Sequence, residues 1–143
     1  MSTLGSELLL EALAGYATGR LAPIPQDDSQ ATYTKLLKKE DGAIDWGAAA
    51  IQIERMTRAY HPWPGAHTSW RGQPFKIIAA RAHPEWAGSA APGALLPEHG
   101  AAWVATGAGA LELLTVQPAG KRPLAAADWW RGLRGIENAQ LGG

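Results

Sequence analysis

Cysteine is absent from this chain. That excludes disulfides, zinc–thiolate centres, iron–sulfur clusters and cysteine nucleophiles, and it fits a reducing compartment. There is no run of about 18 apolar residues, so no membrane-spanning helix is expected. The first residues lack a basic segment followed by an apolar one, so no signal peptide is expected. An excess of either charge sign is missing too: 13 Lys and Arg balance 13 Asp and Glu. At face value that balance argues against a nucleic-acid partner. Phe and Tyr are scarce, one and three against seven Trp.

What is present is one domain's worth of chain. At 143 residues, folding buries about 70% of the surface an extended chain exposes. The charges are unevenly placed. Residues 1–34 hold Glu7, Glu11, Asp27 and Asp28 against Arg20. From Arg55 to Pro84 there are Arg55, Arg58, Arg71, Lys76 and Arg81 with no acid. From Pro118 to Arg134, Lys121, Arg122, Arg131 and Arg134 face one acid, Asp128. A neutral total can therefore hide a basic face.

Periodicity predicts a helix over 4–18, with Leu9, Leu13 and Tyr16 on one stripe widened by Leu8 and Ala12. Residues 19–34 read as extended linker, because Pro23 and Pro25 push the residues before them out of helical space. A charged stretch then ends in Ile44-Asp45-Trp46. A second helix is predicted over 48–60, with Ala49, Ile53, Met56 and Tyr60 on one face and Arg55 and Arg58 on the other. Pro62 and Pro64 stop it. Short strands follow near 66–70, 74–82, 93–96, 101–106 and 109–117, with turn chemistry at 71–74 and 107–109. In the last strand the apolar phase slips between Leu113 and Val116, which predicts a β-bulge. A short final helix is expected near 124–133. The fold class is mainly β with flanking helices: an OB-like small β-barrel preceded by a helix and an extended linker.

No catalytic constellation is visible. His61, His67, His83 and His99 have no metal-ligand spacing, and the chain has no nucleophile elbow, P-loop or dinucleotide fingerprint. The turn His61–Gly65 reads as a rigid helix-to-strand corner with Trp63 capping the barrel, or with Trp63 as a stacking platform. Arg55 and Arg58 could be solvated helix charges, with Glu54 pairing Arg58. The long acid-free stretch beyond them favours a polyanion partner bound through phosphates. Loop Gln117–Pro123 reads as an ordinary loop or as a phosphate clamp. The remaining Trp are scattered over several elements, which suits packing better than one platform.

Several strings, in order and with matching gaps, resemble the methionyl-tRNA formyltransferase family. They are Gln26–Tyr33 (QDDSQATY), Lys35-Leu36, Lys39–Trp46 (KEDGAIDW), Arg58–Ala66 (RAYHPWPGA), Gln73–Lys76 (QPFK), Ala91–Gly93, Gly109–Leu114 (GALELL) and Gln117–Arg122 (QPAGKR). The resemblance covers roughly residues 5–134. It implies the end of a missing N-terminal catalytic domain (1–18), an interdomain linker (19–46) and a C-terminal OB-like domain (47–143). Such enzymes transfer a formyl group from 10-formyltetrahydrofolate to methionyl initiator tRNA during translation initiation. The resemblance thus implies a cytoplasmic tRNA-binding part with no catalytic residue, no metal and no cofactor of its own, since the folate would bind the missing domain. Its implied tRNA contacts are Lys35, Lys38, Arg55, Arg58, Lys76, Lys121 and Arg122. The alternative is a packing or dimerisation domain of a sugar-nucleotide or other folate-dependent formyltransferase. Two departures stand out. Ala94–Pro97 shares letters with the family's catalytic signature but lies in the barrel region. Ala125–Ala127 stands where a Ser would cap the last helix. The apolar stripe of the first helix would be left exposed.

Overall fold

A computed structural model describes residues 2–99, 101–134 and 139–142. The chain divides into two units, Met1–Lys35 and Leu36–Gly143.

The first unit is a single helix and its trailing segment. Helix α1 spans Ser2–Ala17. It stops where Gly19 adopts φ +71° and the Arg20 and Leu21 amides return to the Gly15 carbonyl, a left-handed glycine cap. Leu9, Leu13 and Tyr16 share a shallow apolar cleft with Leu21 and Pro23. Leu4, Leu8, Leu9, Leu10, Leu13 and Tyr16 nevertheless remain between 52% and 73% exposed. A short turn at Asp28–Gln30 is capped by Asp27, whose carboxylate accepts from the Ser29 amide and hydroxyl. Those two donors, the hydroxyl first, hold the Asp27 carboxyl below its ordinary pKa.

In the second unit the chain packs from well before the predicted helix. Trp46 is buried and donates from Nε1 to Thr68 Oγ1 at 3.2 Å. The Ile44 amide donates to the His67 carbonyl. Gly42 lies so close to the Gly65 carbonyl and the His67 ring that a Cβ there would collide with both.

Helix α2 spans Ala50–Ala59 and buries Ala50, Ile53 and Thr57. The predicted stripe through Met56 and Tyr60 is displaced by one position, and those two are half-buried. Thr57 can lie inside because its hydroxyl donates to the Glu54 carbonyl at 2.8 Å.

Five antiparallel strands follow: β1 (His67–Trp70), β2 (Gln73–His83), β3 (Trp103–Ala105), β4 (Ala110–Pro118) and β5 (Leu124–Ala125). The ladders run β1-β2-β4-β3, with β5 on β4. Isolated bridges connect β3 to Leu95, Ala94 to Gln140, and Leu141 to Trp70. The strand path thus returns to β1 through single bridges rather than ladders. The phase slip read from the sequence is present: Ile78 is extra on β2 and Leu114 extra on β4. Leu113 and Val116 consequently both face inward while Leu114 is exposed. Residues 93–96, predicted as a strand, make only bridges. Gly93, at φ +87°, donates its amide to the Ala105 carbonyl and accepts from the Leu141 amide. Leu124 and Ala125, predicted as helix, pair with Val116 and Thr115 instead.

Helix α3 therefore begins later, at Ala126–Arg131, and its N-cap Ala125 makes no side-chain cap bond. Trp129 closes the core, 4.8 Å from the Phe75 ring and 5.4 Å from Trp70. Phe75, Ile77, Val104, Leu111, Leu113 and Val116 complete it.

Candidate nucleic-acid interface

The polar side chains of the sheet sort into a neutralised end and a cationic end. At the first, His83 directs Nδ1 at Glu85 (3.0 Å) and Nε2 at Glu112 (3.1 Å). Its own backbone amide and then the His83 ring hold the Glu85 carboxyl below its ordinary pKa. The His83 and His99 rings both stack on Trp103, at 3.9 and 4.2 Å. Arg81 lies 3.5 Å from Glu112, directly across the β2–β4 ladder. His83 is used in stacking and hydrogen bonding and His99 in stacking. Among the described residues no group of three His, Asp or Glu is placed to hold a metal ion.

Two more bases of the acid-free stretch have partners. Arg58 pairs with Glu54 at 3.6 Å, and Glu54 also accepts from the Ala82 amide. Arg71 donates to the Arg134 carbonyl at 2.8 Å and covers the Trp70 ring at 5.0 Å. Arg55 is exposed on α2.

Lys76 sets up the other end. Strand alternation puts Phe75 and Ile77 in the core, so Lys76 between them points to solvent. Its register partners are His67 on β1 and Gln117 on β4. The Gln117 amide donates to the Lys121 carbonyl at 2.9 Å. Loop Pro118–Pro123 is thereby tied to the residue opposite Lys76, and Lys121 and Arg122 are exposed beside it.

Two clefts meet at Lys76. One, about 220 Å³, lies between Thr57, His61, Pro62, Gln117 and Pro123. The other, about 550 Å³, is lined by Lys39, Trp63, His67, Thr68, Gln73 and Lys76. Among the described residues no carboxylate lines either one. A third cleft, against Gln52, Met56 and Tyr60 of α2, has the opposite character, with Asp41 and Asp45 and no base.

Of the residues expected to contact RNA, Lys76 lines both clefts, while Lys121 and Arg122 are exposed on the loop that Gln117 holds and line neither. Arg55 and Arg58 line neither cleft. Lys38 is exposed where the 39–42 turn begins, its amide donating to Asp41 at 2.7 Å. Lys35 is exposed in the first unit. Two residues that share the larger cleft, Lys39 and Gln73, were not singled out as contacts in the sequence. The signal for Lys39 was its place beside Lys38, ahead of a turn.

Comparison with known proteins adds a family. The formyl transferase, C-terminal domain family matches residues 36–134. A methionyl-tRNA formyltransferase of Roseiflexus castenholzii is 59% identical over 98% of this chain and 45% of its own length. That of Herpetosiphon aurantiacus is 56% identical over 93% of this chain and 44% of its own. The chain thus spans less than half the length of the relatives it matches. Among solved structures, HypX from Aquifex aeolicus superposes with a TM-score of 0.61 at 23% identity, covering 90% of this chain and 24% of that one. At that identity the likeness establishes the fold alone.

Proposed function

The chain belongs to the formyl transferase, C-terminal domain family, and from that premise we propose that it is the tRNA-binding C-terminal part of a methionyl-tRNA formyltransferase. The parent would formylate methionyl initiator tRNA from 10-formyltetrahydrofolate in the cytoplasm. The folate and the reacting groups would belong to the rest of the parent, so residues 1–143 alone bind RNA without turnover. In this reading residues 1–18 close onto the catalytic domain, 19–46 connect, and 47–143 form the OB-like binding domain.

The observation that carries the proposal is Lys76, which lines two clefts whose described lining residues include no carboxylate, while Gln117 opposite it holds the loop that bears the exposed Lys121 and Arg122. Phosphates bound there release counterions and fix the tRNA's position without reading its sequence. Lys35, Lys38, Arg55 and Arg58 would add outer contacts to the same backbone.

Binding of a tRNA transcript should weaken linearly in log Kd against log salt. Replacing both Lys121 and Arg122 by Ala should reduce the slope by about one to two units. Salt-independent binding, or none, rejects the proposal, as does turnover of methionyl-tRNA with 10-formyltetrahydrofolate by this chain.

A further inference from the structure

The seven Trp are not equivalent. Trp46 and Trp129 are buried, and Trp70, Trp86, Trp103 and Trp130 are half-buried. Trp63 is 59% exposed. Its sequence-level role as a cap on the barrel would have buried it. The ring forgoes most of the gain of burial on a corner whose backbone Pro62 and Pro64 restrict on either side.

The groups that share its cleft are few in kind. Lys39 and Lys76 supply positive charge, and Gln73 supplies an amide donor and acceptor. The Nδ1 atom of His67 faces the Gly65 carbonyl at 3.0 Å. A carbonyl only accepts, so Nδ1 carries the hydrogen and donates to it. The cleft volume of about 550 Å³ falls in the range of small-molecule sites.

We infer that this cleft is a stacking site for one unpaired RNA nucleotide. Trp63 takes the base face, Gln73 and His67 meet its polar edge, and Lys39 and Lys76 hold the flanking phosphates. A neutral sugar could also stack on Trp, but among the described residues the cleft has two lysines and no carboxylate to accept hydroxyl hydrogens. The inference rests on the RNA-binding reading above and adds a contact that depends on the base rather than on the backbone.

The test uses a labelled hexauridylate and a phosphate-matched abasic strand, with binding read by fluorescence anisotropy. Wild-type chain should bind hexauridylate about tenfold more tightly than the abasic strand, the effect of one base–aromatic stack. Trp63→Ala should lose that advantage, leave abasic binding unchanged and keep the salt slope. Trp63→Phe should retain most of it. Ultraviolet crosslinking of hexauridylate to the wild-type chain should map to Trp63. Equal binding of both strands by wild type, an unaffected Trp63→Ala variant, crosslinks only at other residues, or displacement by a neutral oligosaccharide would each overturn the site. Steeply salt-dependent tRNA binding with no dependence on Trp63 removes this site and leaves the proposed function standing. A Trp63-dependent hexauridylate complex with no tRNA binding does the reverse.

Discussion

Helices α1 and α2 present opposite solutions to the same physical problem. Helix α1 is long and rich in Leu, yet its Leu side chains stay more than half exposed. Helix α2 is shorter and more polar, yet it lays Ala50, Ile53 and Thr57 against the sheet with almost no exposure. Burial therefore follows from having a surface to meet, not from apolar content. Most helical stability in proteins comes from such packing. What holds α1 is local: good helix formers and a glycine cap.

The comparison is tested most strongly at Trp129. Replacing it with Ala removes the ring that joins Phe75 and Trp70, and should cost about 3–5 kcal/mol. Chemical denaturation should show the second unit unfolding early while α1 keeps its helical circular-dichroism signal. Joint loss of both would show that the units are coupled. Gly42→Ala should be next, at about 1–3 kcal/mol, because the added methyl meets the Gly65 carbonyl and the His67 ring. Thermal melting measures it, and an unchanged Tm would mean that the 36–46 segment does not pack as described. In α1, changing Leu9 and Leu13 together to Ala should shift stability by no more than about 0.5 kcal/mol. A loss above about 2 kcal/mol would instead mark a buried leucine pair and break the contrast.

The smallest effect concerns Asp27. Its folded pKa is lowered, so the turn at 28–30 gains stability above the unfolded aspartate pKa. That gain is lost as pH falls through the lower folded value. An NMR titration of the Asp27 carboxyl should therefore find its midpoint below that of an unstructured aspartate. Ser29→Ala, which removes the hydroxyl donor, should raise it.

Much of this fold is legible in the sequence because it is periodic. The first two helices, the proline corner, strand β2 and the compensating slip at Leu114 all follow from spacing. Elements set by distant partners were not. Leu124 and Ala125 became strand because Val116 and Thr115 lay beside them. Arg81 seemed to lack an acid because Glu112 is 31 residues away. The basic block was therefore thinner than its letters suggested. The loop Gln117–Arg122 kept the charge that a local reading gave it. The exposure of Trp63 could not be read from composition at all, since a Trp excess serves a core and a binding surface equally well.

Along β2 the ion pairs have a consequence for how a charged partner arrives. Arg81 spends its charge on Glu112, and the His83 ring nitrogens face Glu85 and Glu112, whereas Lys76 has no carboxylate partner among the described residues. Five residue steps along the strand take Lys76 to Arg81, a distance of about 17 Å. That is roughly twice the screening length at physiological salt, about 8 Å. The two ends are thus electrically independent, and the strand behaves as a compass needle with one active pole. Under the proposed function, an approaching polyanion would be turned toward the Lys76 end before touching the protein, so that orientation would precede contact.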